Sequence, residues 1–320
     1  MLFGKITDPA FENKIAVQDL ITGMVLTCGG LNRETALAAG IFRAFYAQNG
    51  KTVSLLLEGG VNFIVAYLGA WRAGGKPHAI NPGSAPQQII ADMKLRHAEI
   101  LVTEEKFLWD DEASEPSQFL RNIRQEFPEL NIFAVKDPKA VRAMPRQIEE
   151  TEKGGGWLGT YGWRKIMNFT EPYFGAYHNS EGLAKLLADA RDLIQTYQLN
   201  GGDRAFAAEH LADAFVRLRT LYPMIMEGGE IILTQIARPD PTNFLKAVDR
   251  SYATYATVSS QFFKEMIKHP MPEKTPRKFF RFCIVDANWM TEKERLALRH
   301  SIFYWHKNEK GNYILKTVRD

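Results

Sequence analysis

The chain has 320 residues, of which 45% are hydrophobic and 24% are charged, a composition that can fill a sizeable core and excludes a largely disordered chain. Its 40 lysines and arginines nearly balance 37 acidic residues, giving a formal charge of +3. No basic surface field therefore points to nucleic acid as a partner, and small or neutral ligands are expected instead.

Neither export nor membrane insertion is predicted. The first residues, MLFGKITDPAFENK, contain acids and a proline and form no continuous apolar segment, and nowhere does an apolar run reach about 18 residues. The two cysteines, Cys28 and Cys283, lie far apart and outside any CxxC pattern, which indicates neither a disulfide framework nor a structural zinc site. We expect a cytoplasmic protein without a metal site.

Short β-rich segments alternate with longer helical ones along most of the chain. Strands are predicted for KTVSLLL (51–57), KPHAI (76–80), EILVT (99–103), NIFAV (131–135), RAFAA (204–208), EIILT (230–234), ATYATV (253–258) and RFCIVD (281–286). Helices are predicted for residues 61–75, 86–98, 117–127, 182–199, 215–226, 244–252, 261–269 and 291–305. This alternation predicts an α/β fold with mostly parallel sheets covered by helices.

Two stretches interrupt the alternation. Residues 104–117 are acidic and polar, which is typical of a surface loop, and residues 138–180 are rich in Gly, Pro and aromatic residues with little periodicity. A segment as long as the second is usually functional or disordered, and its aromatic content argues against simple disorder. We predict a first α/β subdomain over 1–137, an irregular segment over 138–180 and a second α/β subdomain over 181–320.

Three separated stretches resemble, in the same order, the N-terminal core of the adenylate-forming superfamily, which includes acyl- and aryl-CoA synthetases and adenylation domains. The first runs from KIAVQDL at residue 14 to EILVTEE at residue 105, with a helix ending in AG and an NP turn. NGGDRAFAAEHLADAFVRLRTLYPMIMEGGEIIL (200–233) is similar to the family's GDR…HAFG…GG segment. PTNFLKAVDRSYATYATVSSQFFKEMIK (241–268) is similar to the helix, strand and helix that follow. The resemblance implies the layered fold of the family's large N-terminal domain, without its small C-terminal domain.

A glycine-rich stretch corresponds to the family's phosphate loop, whose pattern is close to SGTTGxPKG. It retains Gly159, Thr160, Gly162 and Lys165. Such loops bind phosphate because backbone N–H groups and hydroxyls converge on its oxygens, while a lysine adds a positive charge. The resemblance thus implies ATP or AMP with Mg²⁺ as a cofactor if any activity is retained.

The same stretch departs from the pattern where small or rigid residues let phosphate approach. Tyr161 replaces a small hydroxyl residue, Arg164 the proline and Ile166 the last glycine. Two interpretations stay open, a weakened phosphate loop and a Gly-rich surface loop.

A candidate ligand pocket follows from the same resemblance. Asp213 stands where the family has the histidine of its HAFG turn, with Phe215 beside it, and Trp289 lies where a glycine-rich turn leaves room for the acyl group. The alternative for Trp289 is a core or loop anchor, and we interpret His210 as structural. Asp203 of the GDR match is interpreted as turn chemistry.

Other parts of the family's catalytic machinery have no counterpart in the sequence. No YGxTE motif, no TGD motif and no C-terminal domain lysine occur. Adenylation depends mainly on positioning and charge neutralisation. No catalytic residue is therefore assigned, and the chain is not expected to adenylate by itself.

Three functions remain open. The leading hypothesis is a pseudo-ligase that acts as a binding or regulatory subunit, with a protein partner or a small acyl or aryl carboxylate as its ligand. The second is a split or divergent carboxylate ligase that needs a partner chain. The third is a protein-interaction module built on the aromatic-rich segment. Fold alone cannot choose among them.

Overall fold

The computed structural model describes most of the chain. The described residues are 3–45, 47–109, 116–135, 160–162, 171–174, 181–234, 241–266, 279–285, 303–307 and 313–317. They form two compact units, Leu31–Asn179 and Met1–Gly30 together with Ser180–Asp320. We refer to them as the five-strand unit and the eight-strand unit. The predicted α/β class, with mostly parallel sheets flanked by helices, is confirmed.

The strands are short and are numbered in chain order. They are β1 Ile15–Asp19, β2 Val25–Thr27, β3 Thr52–Leu56, β4 Lys76–Ala79, β5 Ala98–Glu104, β6 Asn131–Val135, β7 Thr160–Gly162, β8 Arg204–Ala207, β9 Glu230–Leu233, β10 Tyr255–Val258, β11 Phe282–Val285, β12 Phe303–Lys307 and β13 Tyr313–Thr317.

The α-helices are numbered in the same way. They are α1 Cys28–Ala44, α2 Gly60–Ala73, α3 Pro86–Leu95, α4 Glu105–Leu108, α5 Gln118–Glu126, α6 Glu181–Tyr197, α7 Ala214–Glu227, α8 Pro241–Arg250 and α9 Ser260–Met266. Two 3₁₀ turns, Pro9–Phe11 and Ala47–Asn49, are also present.

All pairings in the five-stranded sheet are parallel, and its strand order is β4-β3-β5-β6-β7. From β3 the chain goes to β4 on one side and then crosses back to β5 on the other. The sheet therefore has a topological switch point between β3 and β5, and in open α/β sheets ligands bind outside the carboxyl ends of the strands at such a point.

The eight-stranded sheet has the order β12-β13-β11-β10-β8-β9-β1-β2. The pairings among β11, β10, β8, β9 and β1 are parallel, whereas β2, β13 and β12 pair antiparallel. From β8 the chain goes to β9 and then crosses back to β10 on the opposite side of β8. The switch point of this sheet therefore lies between β8 and β10.

Buried strands and glycine-capped helices explain why these segments fold as they do. All four residues of β9, β10 and β11 are buried, as expected for strands covered on both faces. Helix α2 ends at Gly74 with φ 90°, and α7 ends at Gly228 with φ 68°. Glycine adopts this left-handed conformation without the steric cost that a Cβ brings, so both helices end where the sequence places a glycine.

Each unit has its own hydrophobic core between sheet and helices. In the five-strand unit, Leu101 and Ile132 of the sheet pack with Met93 of α3 and Ile123 of α5. In the eight-strand unit, one cluster joins the sheet to α8 and α9. Its members include Phe206, Phe244, Val258, Phe263 and Cys283.

The structure differs from the prediction at several places, and α1, β7 and β13 are additional to the predicted elements. The predicted helix 291–305 is wrong at its end, because Phe303–Lys307 pairs as strand β12 with β13; aromatic residues favour a strand when a partner is available. The hairpin of β1 and β2 was not predicted. The predicted surface loop 104–117 contains α4 and the buried side chains of Leu108 and Trp109.

Candidate functional site: the carboxyl edges of the two sheets

The switch point of the eight-stranded sheet brings a glutamate and a serine together. Strands β8 and β10 pair with Ala207 opposite Thr257. Two residues further along each chain, this register places Glu209 opposite Ser259, just beyond the carboxyl ends of the strands. Both residues are half-buried, and a ligand at the switch point would meet the two turns that contain them.

Glu209 and Ser259 are joined by two hydrogen bonds. The Ser259 hydroxyl donates to Glu209 Oε1 at 2.5 Å, and the Ser259 backbone N–H donates to Glu209 Oε2. The same hydroxyl accepts from the backbone N–H of Phe262 at 3.1 Å, in the first turn of α9. The carboxylate is thus linked through one hydroxyl to a helix cap. The Ser259 hydroxyl donates its single proton to Glu209 and uses a lone pair to cap α9.

The electrostatic setting of Glu209 is unfavourable to its charge. Burial raises the pKa of Glu209, the hydrogen bonds from Ser259 act in the opposite direction, and nearby Asp213 adds to the rise. Desolvation and a like charge both disfavour the ionised form. Glu209 thus places a carboxyl group at the carboxyl edge of the sheet, although its surroundings disfavour the ionised form.

The predicted pocket residues Asp213 and Phe215 lie at the start of α7. Asp213 caps that helix, since its Oδ1 accepts from the N–H groups of Phe215 at 2.8 Å and Val216 at 3.1 Å. The guanidinium of Arg219 lies 3.6 Å from the centre of the Phe215 ring. The structure thus brings these two predicted residues together, and gives Asp213 a capping role within the chain. Trp289, the third predicted pocket residue, lies outside the described residues.

His210 makes a local contact, whereas Asp203 both accepts from the Asn200 N–H within its turn at 2.9 Å and joins distant segments. His210 Nδ1 accepts from the N–H of Ala212 at 2.8 Å within the turn before α7. Asp203 lies at the opposite, amino edge of the same sheet, where it accepts from Thr254 Oγ1 at 2.7 Å and also contacts Arg281.

The switch point of the five-stranded sheet carries a compact ionic cluster. Glu58 follows β3, Glu104 ends β5, and the N–H of Glu58 donates to Glu104 Oε1 at 2.8 Å. Lys106 lies 2.5 Å from a carboxylate oxygen of Glu58 and 2.9 Å from one of Glu104. Burial lowers the pKa of Lys106, but the two carboxylates outweigh it and the pKa is raised overall. Lys106 therefore compensates one of the two negative charges of this cluster.

The predicted phosphate loop lies partly within the described residues. Thr160 and Gly162 belong to β7 and pair with Ile132 and Ala134 of β6. Gly159 and Lys165 lie outside the described residues. Strand pairing commits backbone N–H and C=O groups of Thr160–Gly162 to the sheet, whereas a phosphate loop needs free N–H groups that converge on the ligand.

Glu209 and Ser259 were missed as site residues by sequence reasoning. Their signal is a matter of register: each follows a buried strand, and the two strands become neighbours only after the chain crosses over. The sequences AAEHL and TVSSQ, which contain the two residues, carry no local pattern that predicts this crossover. The strand order had to be known first.

A serine, a histidine and an aspartate are also aligned in the five-strand unit. Ser54 Oγ lies 3.1 Å from His78 Nδ1, and His78 Nε2 lies 2.7 Å from Asp92 Oδ2. Ser54, however, is 0% exposed within the central part of β3, so no substrate reaches its hydroxyl. The group joins β3, β4 and α3 and is not a nucleophilic site.

Neither a metal site nor a membrane-spanning helix is found in the part of the chain that the structure describes. That part contains no group of three or more His, Cys, Asp or Glu side chains arranged to hold a metal ion. None of its helices combines the length and apolarity needed to cross a bilayer. Cys28 and Cys283 are both buried free thiols.

Comparison with known proteins supports the resemblance stated from the sequence. A family model described as AMP-binding enzyme matches residues 8–155. No protein of curated function matches the chain in sequence. The resemblance to the adenylate-forming superfamily is thereby confirmed for the N-terminal part of the chain.

Solved structures agree in fold. A benzoate CoA ligase from Burkholderia xenovorans LB400 is 17% identical with a TM-score of 0.69, and the match covers 93% of this chain and 57% of that one. The anthranilate CoA ligase AuaEII in complex with anthranoyl-AMP is 15% identical with a TM-score of 0.68, covering 94% and 58%. ATP-bound MatB from Rhodopseudomonas palustris is 14% identical with a TM-score of 0.71, covering 98% and 60%. The chain thus spans a little under two thirds of the length of each of these three proteins.

Proposed function

We propose that this ligase-like chain, which has the fold of adenylate-forming enzymes, is a binding or regulatory subunit and does not itself adenylate a carboxylate. Its ligand is a small acyl or aryl carboxylate or the corresponding adenylate. The structures that it resembles include a benzoate CoA ligase and an anthranilate CoA ligase with anthranoyl-AMP, which makes aryl compounds the first ligands to try.

One observation carries the proposal, the altered phosphate loop. Tyr161, Arg164 and Ile166 replace residues that leave room for phosphate, and Thr160–Gly162 is paired with β6. Catalysis of adenylation requires preorganised donors around the developing phosphate charge. A loop whose backbone is partly engaged in a sheet supplies fewer of them.

The ligand half of the proposal rests on the switch point between β8 and β10. This edge is the place where an open parallel sheet binds ligands, and it is bordered by Glu209, Ser259, Asp213 and Phe215. The predicted pocket residues Asp213 and Phe215 belong to the same unit and to the same edge as the Glu209–Ser259 pair.

The test is a thermal-shift titration of the chain with anthranoyl-AMP, benzoate and ATP. A ligand that binds only the native state raises the unfolding temperature by mass action. We expect anthranoyl-AMP to give a saturable shift that exceeds the shift with ATP, because the pairing of Thr160–Gly162 with β6 leaves fewer backbone donors for the β- and γ-phosphates. No shift with any of the three compounds would contradict the proposal and leave the interaction-module hypothesis.

A second function is favoured by the family match over residues 8–155, a split or divergent carboxylate ligase completed by a partner chain. In that case Gly159, Thr160, Gly162 and Lys165 bind the phosphates of ATP with Mg²⁺. Carboxylate-dependent exchange of pyrophosphate into ATP on addition of a partner, lost on Lys165→Ala, distinguishes it from the binding subunit.

A further inference from the structure

The turns that follow β8 and β10 are joined by side-chain hydrogen bonds that lie outside the backbone ladder of the sheet. The two strands are already paired along their length from Ala205 opposite Tyr255 to Ala207 opposite Thr257. The bonds from Ser259 to Glu209 lie beyond the end of this ladder. They therefore determine the relative position of the two turns.

The Glu209 carboxylate accepts both hydrogen bonds of the pair. Both of its described partners, the Ser259 hydroxyl and the Ser259 N–H, are donors, and a carboxylate is the side chain that accepts on both oxygens. A glutamine would keep the geometry, since its oxygen accepts from the Ser259 N–H and its NH₂ group donates to the Ser259 hydroxyl, but both bonds would lose the charge that strengthens them. The glutamate is thus matched to its position, although burial and Asp213 oppose its charge.

The chain carries a matched pair at the opposite edge of the same two strands. Thr254 precedes β10, Asp203 precedes β8, and Thr254 Oγ1 donates to Asp203 Oδ1 at 2.7 Å. This is the same hydroxyl-to-carboxylate contact between the same strands, at the amino edge, where no ligand is expected. Comparing variants of the two pairs therefore distinguishes an effect on folding from an effect on ligand binding.

We propose that Glu209 is a positioning residue of the ligand site. Through Ser259 it holds the turn between β10 and α9 next to the turn between β8 and α7. The distance between the two turns across the switch point therefore stays constant. This role rests on the proposed function, since the ligand occupies the crevice between these turns. Asp213 and Phe215, which begin α7, are held in place by the same contact.

The experiment measures the dissociation constant of anthranoyl-AMP by calorimetry for the full chain and for three variants. Glu209→Ala and Ser259→Ala each remove the bond between the hydroxyl and the carboxylate, and we expect each to weaken binding about tenfold. The double variant should bind no more weakly than either single variant, because the two residues act as one unit. Ser259→Thr keeps the hydroxyl and should stay within about twofold of wild type.

The control is Thr254→Val, which breaks the pair at the amino edge. It should lower the denaturant midpoint and leave the dissociation constant unchanged. If Glu209→Ala binds as tightly as wild type, or if Thr254→Val weakens binding as much as Glu209→Ala, the positioning role is overturned.

Failure of the proposed function is recognised separately. If wild type binds no anthranoyl-AMP, benzoate or ATP, the proposed function is wrong, and amide hydrogen exchange then decides the positioning role. Faster exchange at both Phe262 and Phe215 in Glu209→Ala supports it, since these N–H groups donate to the caps of the two turns. Unchanged exchange at either amide contradicts it.

Discussion

At the scale of single residues, a buried arginine stabilises the five-strand unit. Arg72 of α2 is 2% exposed, and its guanidinium donates to the backbone carbonyl of Asn32 at 2.9 Å and to Asn32 Oδ1 at 2.8 Å. Burial lowers the pKa of Arg72 to about 10, so it remains charged at neutral pH and needs its acceptors. The contact joins α1 to α2.

Asn32→Ala removes the side-chain acceptor of this buried charge. We expect the free energy of unfolding to fall by about 2 kcal/mol, the range of hydrogen bonds to charged groups, as measured by denaturant unfolding. The control is Asn49→Ala at an exposed position, where a change within about 0.5 kcal/mol is expected. Equal effects of the two substitutions would contradict the role given to Asn32.

Glu209 makes stability depend on pH in a particular direction. Its pKa is raised in the folded chain, by burial first, so the native state binds the proton more tightly than the unfolded state. Stability therefore falls as pH rises from the ordinary carboxyl value of about 4.3 through the raised value. Glu209→Gln should remove this decline, so that the difference in free energy of unfolding between variant and wild type shifts in favour of the variant across the window. A difference independent of pH would show that the shift is absent.

At the scale of elements, a close helix crossing explains a glycine in the middle of α2. A Cβ built on Gly69 would lie 2.5 Å from Ala38 Cβ of α1 and 3.3 Å from the backbone N of Ala39. Small residues on both helices thus allow their backbones to approach. The crossing is rigid because the nearest atoms belong to short side chains and to backbone.

Gly69→Ala should therefore destabilise the chain although alanine is the better helix former. A gain in helix propensity of about 1 kcal/mol is outweighed by an overpacking cost of about 1–3 kcal/mol, and the midpoint of denaturant unfolding should fall. Gly182→Ala in α6 is the matched control, since nothing lies within 4 Å of its added Cβ; it should stabilise by about 0.5 kcal/mol. A stabilising Gly69→Ala would rule out the close crossing.

Element identity could be predicted from sequence wherever a segment is periodic and its ends are marked. Helix α2 ends at Gly74 as its AGG sequence indicates, and RFCIVD contains β11. Phe303–Lys307 could not be assigned locally, because FYWHK suits a helix or a strand and its pairing with β13 decides. The β1–β2 hairpin is local and was missed, whereas the pairing of β1 with β9, more than two hundred residues away in sequence, could not be assigned from local patterns.

At the scale of the whole molecule, the candidate site could be predicted only in part. The resemblance to adenylate-forming enzymes located the β8–α7 turn, including Asp213 and Phe215. It did not reveal Glu209 opposite Ser259, since that contact depends on the crossover that makes β8 and β10 neighbours. Register across a parallel sheet is a long-range property that local patterns do not encode.

The five-stranded and eight-stranded sheets have the same hydrogen-bonding arrangement at their switch points. In each, a carboxylate after one strand accepts a backbone N–H after the neighbouring strand: Glu104 from Glu58, and Glu209 from Ser259. In the first case Lys106 compensates the charge. In the second, Asp213 adds to it, which makes the edge of the eight-stranded sheet the better candidate for a ligand-responsive site.

The central claim is that this chain binds a ligand without adenylating it, and pyrophosphate exchange tests that claim most directly. The purified chain is incubated with ATP, Mg²⁺, labelled pyrophosphate and benzoate or anthranilate, with Lys165→Ala in parallel. We predict no carboxylate-dependent label in ATP, identical traces for wild type and Lys165→Ala, and a saturable thermal shift with anthranoyl-AMP in the same preparation. Carboxylate-dependent exchange that Lys165→Ala abolishes would contradict the account and establish a catalytic ligase.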